Sequence, residues 1–500
     1  MYTSGRAALI GMLLALAATA AHAQTETEVQ RLERAIGEAR QELDALKTVQ
    51  REGQGQDSPL NTRLKNNVFS WQTEDGRFAF IMGSWVQFRL TYNDERAQDS
   101  EGAGDPNRAT ASNGRDFANF SITRFKTFFR GNIFEKEFKY FALIHWTVPA
   151  GEIAEEAYFT WAKYKFFNVS AGQTKIPFSY DFLCGYNKQQ LTEGSVANET
   201  YHQGWGKGLW VSGVIGDDRP WLKYTVGIFN GVLKANNDFR NMDRAAISQS
   251  FSQSVDADLM PALRLETHPL GEVADDLIDL RGADTYDKLL FSVGFAMNWL
   301  ISRFDNNAIR PRPVASTGGS GRFNSGQDTI ALTLDGHLRW HGLSVNIAWY
   351  HRHTEFHNFG LLAGNGVARN RNAPGDLTDN AITFEAGYFI LPKQFDVAVR
   401  IGMIDSDEFW LAGASTRQFA LRPDSKEIGI GAGYYFAGHN LKVQFDFDYV
   451  AYQLARTAGA APSNAPANQP MPNRSASSLA NDVSDYWNVW QLRLQLQWMF

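Results

Sequence analysis

The sequence has one cysteine, Cys184, and only 16 prolines in 500 residues. A single thiol excludes an internal disulfide framework. Beyond residue 23 no apolar run reaches the roughly 18 residues that a membrane-crossing helix needs. Charge is scarce and nearly balanced, with 48 Lys and Arg against 54 Asp and Glu. A net charge of −6 gives no overall attraction to nucleic acid, so none is expected as a partner. No P-loop, HExxH pair or nucleophile elbow is found. The chain is therefore read as a non-enzyme, with no catalytic residue, metal or cofactor assigned. What is plentiful is aromatic residues and glycine: 35 Phe, 17 Tyr, 14 Trp and 43 Gly. So many large apolar groups exclude a disordered chain. They must be hidden from water, and a large antiparallel barrel in lipid is one way to do so.

Residues 1–23 have the form of a secretory signal. Arg6 gives the positive start, Ala7 to Ala18 the apolar run, and Ala21-His22-Ala23 the cleavage pattern. In residues 24–52, Val29, Leu32, Ile36, Ala39, Leu43 and Leu46 repeat at spacings of three and four, as in a heptad seam. Val29, Leu32, Ile36, Leu43 and Leu46 are the candidate oligomerisation residues of a periplasmic coiled coil, plausibly trimeric. A solvated helix packed on its own barrel is the alternative. Gly53 and Gly55 open a linker over 53–76, and the barrel is expected over 77–500.

From residue 77 onward the period is two. In the last segment Trp490, Leu492, Leu494, Leu496, Trp498 and Phe500 alternate with Gln491, Arg493, Gln495 and Gln497. Alternate side chains of a strand lie on opposite faces, so one face suits lipid and the other water. Sixteen strands are expected near 77–90, 119–134, 138–146, 154–165, 167–177, 208–216, 221–230, 257–268, 289–302, 329–340, 343–356, 381–390, 395–405, 426–436, 441–453 and 489–500. Short connectors alternate with long polar ones, the asymmetry of outer-membrane barrels. The short connector 147–153 and the long one 269–288 depart from it. The fold class is thus all-β, an antiparallel transmembrane barrel in the outer membrane of a Gram-negative bacterium, with lipid around it.

The polar face carries Arg77, Arg89, Arg124, Lys126, Arg130, Lys175, Lys223, Arg264, Arg339, Arg352, Arg400, Lys442 and Arg493. Its acids are Glu156, Glu266, Asp335, Glu385, Asp396, Glu427, Asp446 and Asp448, so the lumen is basic by about five charges although the chain is acidic. Arg124, Lys126, Arg130, Lys175, Lys223, Arg264, Arg339, Arg400 and Arg493 form the candidate anion track, since a row of cations passes an anion along without trapping it. Cross-strand pairing with acids is the plainer reading of the same residues. His351, His353 and His357 allow a metal site, and Asp405-Ser406-Asp407-Glu408 a calcium site. A strand end and a solvated turn are the simpler readings.

Several stretches together resemble the phosphate-selective porin O and P family. They are FFRGNIFEKEFKY around Arg130-Gly131, EEAYFTW, AGQTKIPFS at 171–179, WLKYTVGIFNG at 221–231 and LRLETHPLG at 263–271. The segments at 385–405 and 431–450 and the terminal QLRLQLQWMF complete the series. The resemblance implies sixteen strands, a homotrimer, anion passage with phosphate or polyphosphate as cargo, and a third outside loop folded inward as a constriction. Here that loop is 178–207, with Lys188 and Lys207 against Asp181, Glu193 and Glu199. Phe500 fits the terminal aromatic that assembly machinery reads. A general or organic-acid channel, and an enzyme or adhesin on a barrel scaffold, remain as alternatives.

Overall fold

The computed structural model describes residues 60–65, 68–98, 117–147, 154–216, 220–230, 259–273, 276–281, 286–302, 323–363, 366–368, 377–406, 424–454 and 485–500. The signal and heptad segments lie outside them. Sixteen long strands follow the period-two segments: β1 Ala79–Gln98, β2 Phe117–Asn132, β3 Phe138–His145, β4 Ala154–Tyr164, β5 Phe167–Lys175, β6 Trp205–Ile215, β7 Leu222–Phe229 and β8 Met260–Thr267, then β9 Leu290–Ser302, β10 Phe323–Trp340, β11 Leu343–Ala363, β12 Leu377–Leu391, β13 Phe395–Ser406, β14 Ser425–Tyr435, β15 Leu441–Leu454 and β16 Asp485–Met499.

Each strand pairs antiparallel with the next, and β16 returns to β1 with Leu494 opposite Leu90 and Met499 opposite Trp85. The sheet is therefore closed. Closure satisfies every strand edge, which lipid could not do. Phe500 seals the seam by exchanging backbone hydrogen bonds with Ser84, at 2.6 and 2.8 Å. The irregular connectors 147–153 and 269–288 leave the count at sixteen.

The alternation sorts the faces as expected. Along β10, Ile330, Leu334 and Trp340 point outward and are exposed, while Ala331, Thr333, Asp335, His337 and Arg339 point inward and are buried. The β10–β11 turn, His341-Gly342, has φ of 48° and 81°. Two residues in the left-handed region make the hairpin turn whose twist matches its strands.

Two differences from the sequence reading stand out. Short strands Leu60–Lys65 and Val68–Thr73 occupy the stretch read as a linker, and the second pairs with β1 from Phe69–Met82 to Gln72–Ala79. The barrel sheet thus begins before residue 77. Strands β1, β10 and β11 also run well past the expected ends, to Gln98, from Phe323 and to Ala363.

The long connector between β8 and β9 folds back into the barrel. Leu277, Ile278 and Asp279 are buried. Arg339 donates to the Asp276 carbonyl at 2.6 Å, Asn346 to the Leu277 carbonyl at 3.0 Å, and the Gly342 N–H to the Asp279 carboxylate at 3.0 Å. Its Leu277 packs with Tyr180 and Cys184 of the loop that follows β5.

Candidate functional site

The connector between β5 and β6 is the central feature of the lumen. Its base is closed by Ile176 N–H donating to the Gly204 carbonyl at 2.9 Å. Between these residues lie α1 Tyr180–Cys184, a 3₁₀ turn Tyr186–Lys188 and α2 Val196–Tyr201. Ser195 caps α2 by accepting the Asn198 N–H at 3.0 Å, satisfying one of the orphan donors of the first turn. The loop expected as the constriction at 178–207 is this inward-folded segment.

One side of the loop is bound to the wall of β8–β16. Phe178, Ala197 and Tyr201 pack against Ala296, Ala331, Ala348, Ala381 and Tyr350. Small inward residues leave room for the rings of the loop. Polar groups complete the seat. Arg264 donates to the Phe178 carbonyl at 2.8 Å, and Lys442 to that of Gln189 at 2.9 Å. Gln190 donates to Asp396 at 2.6 Å, the Thr192 N–H to Asp446 at 2.7 Å and the Val196 N–H to Glu427 at 2.8 Å. A Cβ at Gly387 would collide with the Gln190 side chain, so the loop approaches the wall where the wall has no side chain.

The other side is pinned by Glu193. Its carboxylate accepts from Arg89 at 2.5 Å and from Arg124 at 2.6 Å. The Arg124 guanidinium also lies 3.8 Å from the Tyr186 ring centre. Burial alone would raise the Glu193 carboxyl, but Arg124 and Arg89 outweigh it and hold the group well below the usual carboxylate range. A carboxyl held low contributes its pairing energy throughout the range above its ordinary value and loses it only as pH falls through the depressed one. The tie of Glu193 to Arg89 and Arg124 is therefore expected to hold from pH 7 to about pH 4 and to weaken in stronger acid. A Glu193 carboxyl found to titrate near the ordinary Glu value would show that it is not pinned in this way.

The nine candidate track residues fall into two groups. Arg264 is held by Asp335 at 2.8 Å and Glu266 at 3.0 Å, and Arg493 by Asp448 and by Asp446 at 3.6 Å. Arg400 lies 3.6 Å from both Glu385 and Glu427 and donates to the Glu193 carbonyl at 2.8 Å. Arg339 serves the Leu338, Val345 and Asp276 carbonyls. These four point inward as expected, but they are at most 5% exposed, because the loop and the β8–β9 connector cover them. All four support the loop or that connector; of them Arg264 also lines a small cavity, and Arg339, Arg400 and Arg493 border neither cavity described below.

The early-strand members, Arg130 apart, are also paired, and Lys126 is as little exposed at 4%, but they lie on the side of the loop where space remains. Lys126 pairs with Glu155 at 2.5 Å, and Lys175 donates to the Phe182 carbonyl at 2.6 Å. Lys223 meets Glu272 at 2.7 Å. Arg130 is exposed, its guanidinium 5.4 Å from the Phe128 ring centre. Arg77 lies before β1, bonded to the Phe134 carbonyl at 2.8 Å and outside the row. Lys126, Arg130 and Lys175, with Lys188 of the loop, border a cavity of about 290 Å³ between the loop and the wall of β1–β5. Glu155 is the acid lining it. A second cavity, of about 230 Å³, lies beside Tyr180, Lys223 and Arg264. Among the described side chains, strands β1–β7 carry six such cations, Arg89, Arg124, Lys126, Arg130, Lys175 and Lys223, against Glu155 and Glu156. Among the described side chains, strands β8–β16 carry Arg264, Arg339, Arg352, Arg400, Lys442 and Arg493 against eight acids. The basic excess thus lies on the half of the lumen that retains open space.

The sequence reading missed Glu155 and the alanine seat. Small apolar residues at inward positions of β9–β12 were the available signal. Among the described residues no group of three or more His, Cys, Asp or Glu side chains is arranged to hold a metal. His351 and His353 share one face, bonded across to Asn380 and Thr378 at 3.0 Å each. The side chain of His357 lies outside the described residues, as do Asp407 and Glu408.

No protein-family model and no curated protein matches the chain. Solved structures similar to it are outer-membrane proteins. An anion-selective porin from Comamonas acidovorans is 10% identical over 84% of this chain and 99% of its own, with a TM-score of 0.44. OpdO of Pseudomonas aeruginosa is 11% identical over 84% and 97%, with a TM-score of 0.35. OmpT of Vibrio cholerae is 11% identical over 84% and 98%, with a TM-score of 0.43. These likenesses do not support the phosphate-selective family in particular. The reading of the chain as a non-enzyme is corrected: the similar structures include OmpT, and likeness of this kind decides neither for nor against catalysis. The fold is that of a porin-like sixteen-stranded barrel.

Proposed function

We propose that the chain is an outer-membrane porin through which small anions diffuse past the loop at 178–207, on the side of β1–β7. The observation that carries this reading is the cavity beside the loop, bordered by Lys126, Arg130, Lys175 and Lys188 against Glu155. A low-dielectric wall focuses the field of such charges on the passage, so anions enter it more readily than cations. The N-terminal signal, the heptad helix as a trimerising element and Phe500 as an assembly signal belong to the same proposal.

The test is the zero-current potential of the purified protein in a planar bilayer under a KCl gradient. An anion-signed potential is expected. Arg130→Ala combined with Lys188→Ala should move it toward zero while the barrel still inserts. A cation-signed potential in the parent protein would overturn the anion reading and keep the barrel.

A further inference from the structure

The cavity that holds the cations is also strongly aromatic. Trp85, Phe128, Phe141, Tyr186 and Trp205 line it together with Leu143. Three of these residues come from inward positions of neighbouring strands: Phe128 is opposite Leu143, and Phe141 is opposite Arg130. Other apolar inward positions, such as Ala296, Ala331, Ala348, Ala381 and Tyr350, are covered by the loop, and β15 and β16 hold Gln444, Gln495 and Gln497. An apolar inner wall has no purpose for a hydrated inorganic ion. It cannot donate hydrogen bonds, so a phosphate pressed against it loses hydration without replacement. The donors also suit one charge better than two. Lys126 and Lys175 are each committed to a protein acceptor, and among the described residues Arg130 is the guanidinium that borders the space.

Resting on the anion-channel reading above, we propose that this cavity is a subsite for organic monoanions with a flat apolar body, of which an aromatic carboxylate is the type. The carboxylate lies toward Arg130 and Lys188, and the ring lies among Phe128, Phe141 and Trp205. A volume of about 290 Å³ admits one such molecule. Apolar area buried against the rings favours it over a carboxylate without a body, and aromatic pairs in offset or edge contact add to that.

The experiment is block of the chloride current in planar bilayers of the full-length protein by sodium benzoate, sodium acetate and inorganic phosphate, each titrated separately. Benzoate is expected to reduce the current at about tenfold lower concentration than acetate, with phosphate no better than acetate. Phe128→Ala should narrow the gap between benzoate and acetate, and Arg130→Gln should weaken block by both. The ranking in the parent protein stands as a test even where a variant fails to insert. Phosphate as the strongest blocker, or equal block by benzoate and acetate, would overturn the subsite and leave the anion channel in place. A cation-signed zero-current potential would instead overturn the channel reading on which it rests.

Discussion

A barrel in which Tyr180–Tyr201 is replaced by a two-glycine bridge is expected to carry at least about twice the parent current, and to keep its anion preference. The shortened chain can close, because Ile176 and Gly204 already meet through a backbone hydrogen bond at the loop base. Current rises because the loop leaves the lumen. The sign is kept because the deletion removes Asp181, Glu193 and Glu199 with only Lys188, and frees Arg89 and Arg124 from Glu193. With it gone, Asp396, Glu427 and Asp446 lose the Gln190 amide and the backbone N–H groups of Val196 and Thr192 that they accept from. They then face water alongside Glu385 and Asp448, but the described inward side chains of all sixteen strands still number twelve cations against ten acids. Reversal potential and single-channel current in the same recordings check both parts. An unchanged current would mean that the loop does not narrow the passage.

Arg264→Met is expected to destabilise the barrel by about 3–5 kcal/mol, because it leaves carboxylates buried without their partner. Asp335 would lose two hydrogen bonds, at 2.8 and 2.9 Å, and Glu266 one at 3.0 Å. The Phe178 carbonyl would lose its donor as well, loosening the loop at its start. His337 beside Asp335 and His268 beside Glu266 remain, at 2.9 Å each, and limit the loss. Arg130→Met should change stability by no more than about 0.5 kcal/mol, since the guanidinium is exposed. The urea midpoint of the detergent-solubilised protein, or the temperature at which its compact form disappears on a gel, measures the difference. Equal midpoints for the two variants would show that Arg264 is not a structural ion.

Much of this was legible in the sequence. Strict alternation, as in Leu492-Arg493-Leu494-Gln495-Leu496, has one physical reading when repeated sixteen times, and it gave both the strands and their inward face. The ends of β1, β10 and β11 were not legible, because the side-chain alternation that marks a wall between lipid and water stops before the strand does. The larger miss concerned Arg339, Arg400 and Arg493. Parity tells which way a side chain points and says nothing of what stands in front of it. A charge facing water and a charge facing a folded loop have the same spacing. The loop itself was placed by resemblance and length, yet its seat on Ala296, Ala331, Ala348 and Ala381 depends on contacts that no local pattern records.

The seam between β1 and β16 has a kinetic consequence. Gln87 donates to Gln497 across it, a contact between residues 410 positions apart. No shorter stretch of the chain closes the ring, so loss of the final strand alone would present two unpaired edges to lipid. Local hairpins can form early, but the step that makes the structure tolerable in a bilayer must wait for the last residues to arrive. Topology of this kind slows folding, and it makes the nascent chain dependent on something that shields its edges until Phe500 meets Ser84.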